Sequence, residues 1–189
     1  MGRDKAFLEI GDVPLASHVA ALVQAAAGQV VLVGHPERYG TLPYAAIADR
    51  ESGLGPLAGV VTALEHTTAD WNLIVACDMP AVSIELFEML FEEAEAENPD
   101  ALVPVSPAGR LEPLCAIYHR HCLPVLEAAL AQGRLKMRAA LENLHVVPRP
   151  IPAGEWFINT NTPQEWQKHI STFGKGSRAG TPGGRAGLV

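Results

Sequence analysis

Short apolar runs alternate with segments of helical length along most of this chain, and this alternation constrains its fold more than any other feature. Strands are predicted at 30–33, 45–48, 72–77, 101–105, 114–118, 144–147 and 155–158. Helices are predicted at 14–27, 56–69, 83–97, 122–132, 135–142 and 162–170. Strands that alternate with helices of this length indicate βαβ units, so the chain is predicted to be an α/β protein with a largely parallel sheet.

Polar residues follow several of the predicted strands, at the sheet edge where α/β proteins bind ligands. Asp49, Asp78 and Asn159 occupy such positions. Asp78 ends an apolar strand, and a carboxylate there suits Mg²⁺, which prefers hard oxygen ligands. The alternative is that Asp78 caps the turn into the next helix. For Asn159 and the nearby Asn161, hydrogen bonding within a turn is the alternative to ligand binding.

The string G-L-G-P-L-A-G at 53–59 opens a predicted helix. Glycine lets the backbone approach a ligand closely, and a helix N-terminus favours anions. The string is not a Walker loop, since no Gly-Lys-Ser/Thr follows, and an ordinary loop before a helix is the alternative. Lys5 could reach a phosphate, although a single lysine in this position is also typical of solvated surface.

Composition excludes several classes of function. The net charge is −7 and no clustered basic face is visible, which argues against a nucleic-acid partner. Three cysteines fit no secreted disulfide framework and favour reduced thiols in the cytoplasm. No apolar run approaches the roughly 20 residues that a membrane span needs, so no membrane partner is expected.

Five strings occur in one order and together are far more specific than any one alone. They are M-G-R-D-K-A-F-L at 1–8, D-x5-G-P-L-A-G at 49–59, V-A-C-D-M-P at 75–80, R-L-E-P-L-C-A-I-Y at 110–118 and I-N-T-N-T-P-Q-E at 158–165. In this order they resemble the molybdenum cofactor guanylyltransferases, within the nucleotidyltransferases of nucleoside-diphosphate-sugar type. Related cytidylyltransferases tend to lack the proline of the second string. The resemblance covers 1–170, which is predicted to be one nucleotidyltransferase domain.

The resemblance implies a three-layer α/β/α sandwich with a Rossmann-like, mainly parallel sheet. It implies transfer of GMP from GTP to molybdopterin or Mo-molybdopterin, with release of pyrophosphate and Mg²⁺ as cofactor. A cytoplasmic enzyme working beside other cofactor-maturation proteins is expected.

Residue roles follow from the same resemblance. Lys5 would pair with the GTP phosphates and, with Asp78, carry the catalysis. Asp49 would contact GTP, and Asp78 would hold Mg²⁺. The nucleotide pocket would be lined by Gly55, Pro56 and Leu57. Asn159 and Asn161 would lie on the acceptor side of the cleft.

The chain departs from the family pattern at its start. That pattern begins with an apolar strand and a loop of the form L-A-G-G-x-S-x-R, whereas here Met1 occupies the methionine that follows the loop. Met1 is interpreted as an internal methionine. The sheet is expected to lack its first, central strand, which would leave neighbouring strands unpaired, lower the stability and leave the activity of this chain uncertain.

The segment 171–189 is rich in Gly, Ser, Arg, Thr and Pro and is predicted to be a disordered tail.

Two alternatives to the guanylyltransferase stay open at this point. One is a nucleotidyltransferase with another donor or acceptor, such as CTP or a sugar phosphate. The other is a non-catalytic nucleotide-binding or adaptor protein that has kept the fold without the loop.

Overall fold

A computed structural model describes residues 5–50, 53–152, 154–157 and 185–189. The helices are α1 Leu15–Ala27, α2 Pro36–Tyr39, α3 Pro56–His66, α4 Ile84–Glu97, α5 Leu123–Ala131 and α6 Met137–Leu141. The strands are β1 Glu9–Ile10, β2 Val13–Pro14, β3 Val30–Val33, β4 Ala45–Ile47, β5 Trp71–Val75, β6 Ala101–Val105, β7 Cys115–His119, β8 Val146–Pro150 and β9 Arg185–Leu188.

Seven of the strands form one sheet in the order β4-β3-β9-β5-β7-β6-β8, while β1 and β2 form a small hairpin. Strands β4, β3, β9 and β5 run parallel to one another, and β8 runs parallel to β6. Only β7 is antiparallel to its neighbours in this sheet, among the strands that the structure describes. The predicted mainly parallel sheet is therefore confirmed.

Helices cover both faces of the sheet and bury two separate apolar cores. One core is built on α1 and α4, with Val23 of α1 and Phe87 of α4 both fully buried. The other is built on α3, α5 and α6, with Leu57 and Leu126 fully buried. Parallel sheets with crossover helices require such cover on both faces, and the three-layer sandwich is confirmed.

Strand β9 corrects two predictions. Residues 171–189 were expected to be a disordered tail, yet Arg185–Leu188 form a strand at the centre of the sheet. This strand pairs with β3 and β5, so the expectation that neighbouring strands at the centre of the sheet are left unpaired is wrong. The prediction of a tail was based on the average composition of nineteen residues, which does not reflect the short apolar run A-G-L-V at its end. This run is too short to form a strand alone, but pairing with a strand on each side stabilises it.

The segment around residue 156 differs from its prediction as well. A strand was expected at 155–158, but Gly154–Phe157 form a short 3₁₀ helix. Its aromatic residues Trp156 and Phe157 pack against the core on the α1 side, so burial of side chains decides the local structure there.

Within the described part of the chain, no helix combines the length and the apolar character needed to cross a membrane.

Burial of His18 on α1 predicts a dependence of stability on pH. Loss of hydration lowers the pKa of His18 below its usual value of 6.5. The unfolded chain therefore binds this proton more readily than the folded one, and the contribution of His18 to stability is lost as pH falls below 6.5. We expect His18→Gln to flatten the fall in the free energy of unfolding below that pH.

Chemical denaturation at several pH values would measure this effect. His66→Gln is the matched control, because it removes an imidazole from an exposed position of another helix, α3. His119, whose pKa is lowered by burial and by His121, titrates in every variant and cancels in the comparison. If the free energy of unfolding falls equally steeply below pH 6.5 in His18→Gln and in His66→Gln, the prediction is contradicted.

Candidate active site

The carboxyl ends of β3, β4, β5 and β9 meet at one edge of the sheet, because these four strands are parallel. A cavity of about 220 Å³ opens at this edge. Its wall is largely apolar and comes from α3 and from the strand ends. The lining residues are Val33, Asp49, Pro56, Gly59, Val60, Ala63, Ile74, Val75, Ala76, Cys77, Asp78, Leu114, Leu188 and Val189. Of the three residues predicted to line the nucleotide pocket, Pro56 lines this cavity, whereas Gly55 and Leu57 do not.

Lys5 and Asp78 lie together at this edge although 73 positions separate them in sequence. Lys5 Nζ donates to Asp78 Oδ2 at 3.5 Å, and each side chain is about one-third exposed, at 36% and 37%. Lys5 belongs to a 3₁₀ turn, Lys5–Phe7, and Asp78 follows β5 in the loop to α4. The structure therefore brings together the two residues predicted to be catalytic and leaves both open to a ligand.

Asp49 follows β4 and lines the same cavity as Asp78. Thr62 of α3 donates through Oγ1 to Asp49 Oδ1 at 3.4 Å, and the same hydroxyl accepts the backbone N–H of Arg50 at 3.1 Å. Because Thr62 is buried, these bonds tie the loop after β4 to helix α3. The carboxylate of Asp49 is thus oriented by its neighbours while remaining at the cavity wall.

The loop before α3 has the geometry that its glycines predict, but its three predicted residues have different surroundings. Gly55 has φ +81°, which favours glycine, and Pro56 opens the helix. Pro56 lines the cavity. Leu57 is fully buried and packs in the core beneath α3, so its prediction as a pocket residue is corrected: helical periodicity turns it away from the loop.

A second cavity, of about 520 Å³, lies beside the first. The two share four lining residues: Pro56, Ala76, Asp78 and Leu114. Asp78 is the only ionisable residue lining both cavities among those the structure describes. It therefore stands on the boundary between two adjacent pockets.

The walls of the second cavity come from the loop after β5, the segment before β7 and the start of α6. They include Met79, Pro113, Leu135 and Met137, with polar groups from Glu112 and Lys136. Neither Glu112 nor Lys136 was predicted as a site residue. A partial signal was present, because Lys136 belongs to the densest basic group of the chain, 134–138.

Two further predicted site residues, Asn159 and Asn161, lie outside the described residues. Their assignment to the acceptor side stays a prediction.

Two of the three cysteine thiols of the chain are deeply buried. Cys115 and Cys122 are buried thiols; burial raises the pKa of both, that of Cys122 to about 12, so both stay protonated near neutral pH. A third thiol, Cys77, is half-buried in the cavity wall.

Comparison with known proteins agrees with this geometry. Residues 1–147 match the model of the MobA-like NTP transferase domain. The chain is similar to a probable molybdenum cofactor guanylyltransferase of Bacillus cereus (strain Q1), with 33% identity over 90% of each chain. A protein with the same name from Carboxydothermus hydrogenoformans is 29% identical over 92% of this chain and 90% of its own.

Among solved structures, the chain is similar to molybdopterin-guanine dinucleotide biosynthesis protein A from Archaeoglobus fulgidus. The TM-score is 0.75 at 28% sequence identity, and the match covers 90% of each chain. The family match extends over the strands that carry Asp49 and Asp78 and over Lys5. On these grounds the chain belongs to the MobA-like NTP transferase family.

Proposed function

We infer that this protein transfers GMP from GTP to molybdopterin or Mo-molybdopterin, forming the guanine dinucleotide and releasing pyrophosphate. The observation that carries the inference is the position of Asp78 on the boundary of two adjacent cavities, with Lys5 3.5 Å away. A transferase needs donor and acceptor side by side, with the charged groups where the bond is exchanged. The names of the similar proteins support guanylyl transfer in particular.

The donor nucleotide is assigned to the smaller, apolar cavity. Aliphatic side chains such as Val60 and Ile74 suit the contact faces of a base and a ribose. The N-terminus of α3, opened by Pro56, favours negative charge and adjoins the same wall. The phosphates of GTP would then lie towards Lys5 and Asp78.

The acceptor is assigned to the larger cavity. Its apolar wall of Met79, Met137 and Leu135 suits a flat ring system, and Lys136 offers a cation to an anionic group. An oxygen of the acceptor phosphate attacks the α-phosphorus of GTP, a new P–O bond forms, and the bond to the β-phosphate oxygen breaks with pyrophosphate leaving. Holding the two reactants next to each other can supply roughly 7–11 kcal/mol.

Both reactants are anionic, so their repulsion opposes the reaction. Lys5 offsets part of that charge directly. Among the described residues, no group of three or more His, Cys, Asp or Glu side chains could hold a metal alone. Mg²⁺ in nucleotide sites takes one or two carboxylates together with substrate phosphates, so Asp78, about one-third exposed beside the donor cavity, fits this mode of binding. When bound there, Mg²⁺ would stabilise the charge that builds on the leaving group.

Pyrophosphate release from a panel of nucleoside triphosphates tests the proposal. The protein is incubated with Mg²⁺, molybdopterin and one of GTP, CTP, ATP or UTP, with each nucleotide also tested alone. We expect release with GTP that depends on molybdopterin. Faster release with CTP would indicate a cytidylyl donor, and binding of GTP without release would support a non-catalytic protein.

Lys136 provides a prediction for the acceptor side. Replacing Lys136 with alanine should raise the KM for molybdopterin by about 10- to 100-fold, because one charge-assisted hydrogen bond to a phosphate is lost. The KM for GTP should change less than twofold. Steady-state kinetics in each substrate measure both constants. Arg138→Ala is the matched control, since Arg138 is an exposed cation of α6 that lines neither cavity; an equal effect of both variants would argue against a specific role for Lys136.

A further inference from the structure

Strand β9 is held by backbone hydrogen bonds on both of its edges. On one side, Gly187 N donates to Gln29 O at 3.0 Å and Val189 N donates to Val31 O at 2.9 Å. On the same side, Val33 N donates to Val189 O at 2.7 Å. On the other side, β9 is in parallel register with β5, from Trp71 opposite Arg185 to Ile74 opposite Leu188. Without β9, the facing edges of β3 and β5 would lose these partners.

Alternate residues of β9 pack on opposite faces of the sheet. Arg185 faces α4: its Nε and Nη2 donate to the two carboxylate oxygens of Glu95 at 2.7 and 2.8 Å. Its guanidinium also lies 4.6 Å from the centre of the Phe91 ring. Leu188 packs in the opposite core, beneath α3, and is only 3% exposed. The strand is therefore anchored in both layers of helices.

The carboxyl end of β9 also forms part of a wall. Leu188 and Val189 line the smaller cavity together with Val33, which is hydrogen-bonded to Val189, and Ile74, which pairs with Leu188. Four adjacent wall residues thus depend on the docking of one strand. Asp49 and Asp78 complete the polar part of the same wall.

We propose that docking of β9 builds the nucleotide-binding pocket, with Leu188 and Val189 as part of its wall, so that nucleotide binding and docking of β9 strengthen each other. This proposal rests on the assignment of the smaller cavity to the nucleotide. A ligand that contacts the docked strand binds better when the strand is in place, and by linkage its binding must stabilise the docked strand to the same extent. Residues outside the family's matched segment 1–147 therefore control substrate affinity.

Two leucine-to-alanine variants of the 189-residue chain separate this role from general stability. Leu188→Ala removes atoms from the pocket wall. Leu126→Ala, the control, removes the same atoms from the same core, but Leu126 belongs to α5 and lines neither cavity. The dissociation constant of GTP with Mg²⁺ is measured by calorimetry at a temperature where both variants are folded. Amide hydrogen exchange at Gly187 and Val189 is followed in the parent chain, with and without saturating GTP and Mg²⁺.

We expect Leu188→Ala to weaken GTP binding about tenfold, while Leu126→Ala changes it less than twofold. Exchange at Gly187 and Val189 should slow when GTP binds. Suppose that the parent chain binds GTP, that both variants have the same dissociation constant for GTP as the parent, and that GTP leaves amide exchange at Gly187 and Val189 unchanged. The role of β9 is then overturned and the proposed function stands. If the parent chain binds none of the four nucleoside triphosphates, the proposed function is overturned as well.

Discussion

Replacing Asp78 with asparagine is expected to lower the rate of GMP transfer by about 10³-fold or more, corresponding to roughly 4 kcal/mol of transition-state stabilisation. Asparagine keeps the shape of the side chain but removes the negative charge that would hold Mg²⁺ beside the phosphates. It also removes the ionic partner of Lys5. Since both partners are about one-third exposed, loss of this ion pair should cost only about 0–1 kcal/mol of stability.

Single-turnover kinetics with saturating GTP and molybdopterin would measure the loss, and a thermal melt would show that the fold is retained. Asp70→Asn is the matched control, because Asp70 is exposed at the opposite end of β5 from Asp78. It should retain the rate of the parent chain. A rate for Asp78→Asn within tenfold of the parent would rule out the assigned role of this carboxylate.

Replacing Gly187 with alanine should destabilise the protein by about 2 kcal/mol or more. A Cβ atom at this position would lie 2.0 Å from Cγ1 of Val23, and Val23 is fully buried in α1. Contact this close forces β9 or α1 to shift, and overpacking of a core typically costs about 1–3 kcal/mol. Equilibrium unfolding in urea would measure the change in the free energy of unfolding. An unchanged slope of this free energy against urea concentration would show that the transition remains two-state.

A double-mutant cycle attributes this cost to a specific contact. Val23→Ala removes the clashing methyl groups, so Gly187→Ala should cost much less in that background than in the parent chain. Gly59→Ala is the control, because a Cβ atom there meets nothing within 4 Å. As a substitution inside a helix, it should stabilise the protein by about 0.5–1 kcal/mol. An unchanged free energy of unfolding for Gly187→Ala would contradict the placement of β9 against α1.

Much of the fold follows from local patterns in the sequence. Strand β3 was predicted at its observed bounds, 30–33, because β-branched residues dominate it. Helix α4 was predicted from Ser83, whose side chain accepts the N–H of Leu86 at 3.4 Å as a helix cap. The positions of Lys5 and Asp78 at one site followed from family resemblance, and the structure places them in contact.

The remaining features depend on contacts between distant segments. A four-residue run such as Arg185–Leu188 becomes a strand only through its pairing with β3 and β5, which composition cannot reveal. The burial of Leu57 depends on which face of α3 meets the sheet. Lys136 reaches the candidate acceptor cavity because α6 lies beside the loop after β5, a proximity that no local spacing encodes.

Transfer of label from GTP labelled at the α-phosphate to molybdopterin tests the central claim most directly. The protein is incubated with Mg²⁺ and purified molybdopterin, and the products are separated and identified by mass. The account predicts label in molybdopterin guanine dinucleotide, formed in equal amount to pyrophosphate and absent with Asp78→Asn. Label that stays in GTP, or that appears only as free GMP, would contradict guanylyl transfer between the two cavities.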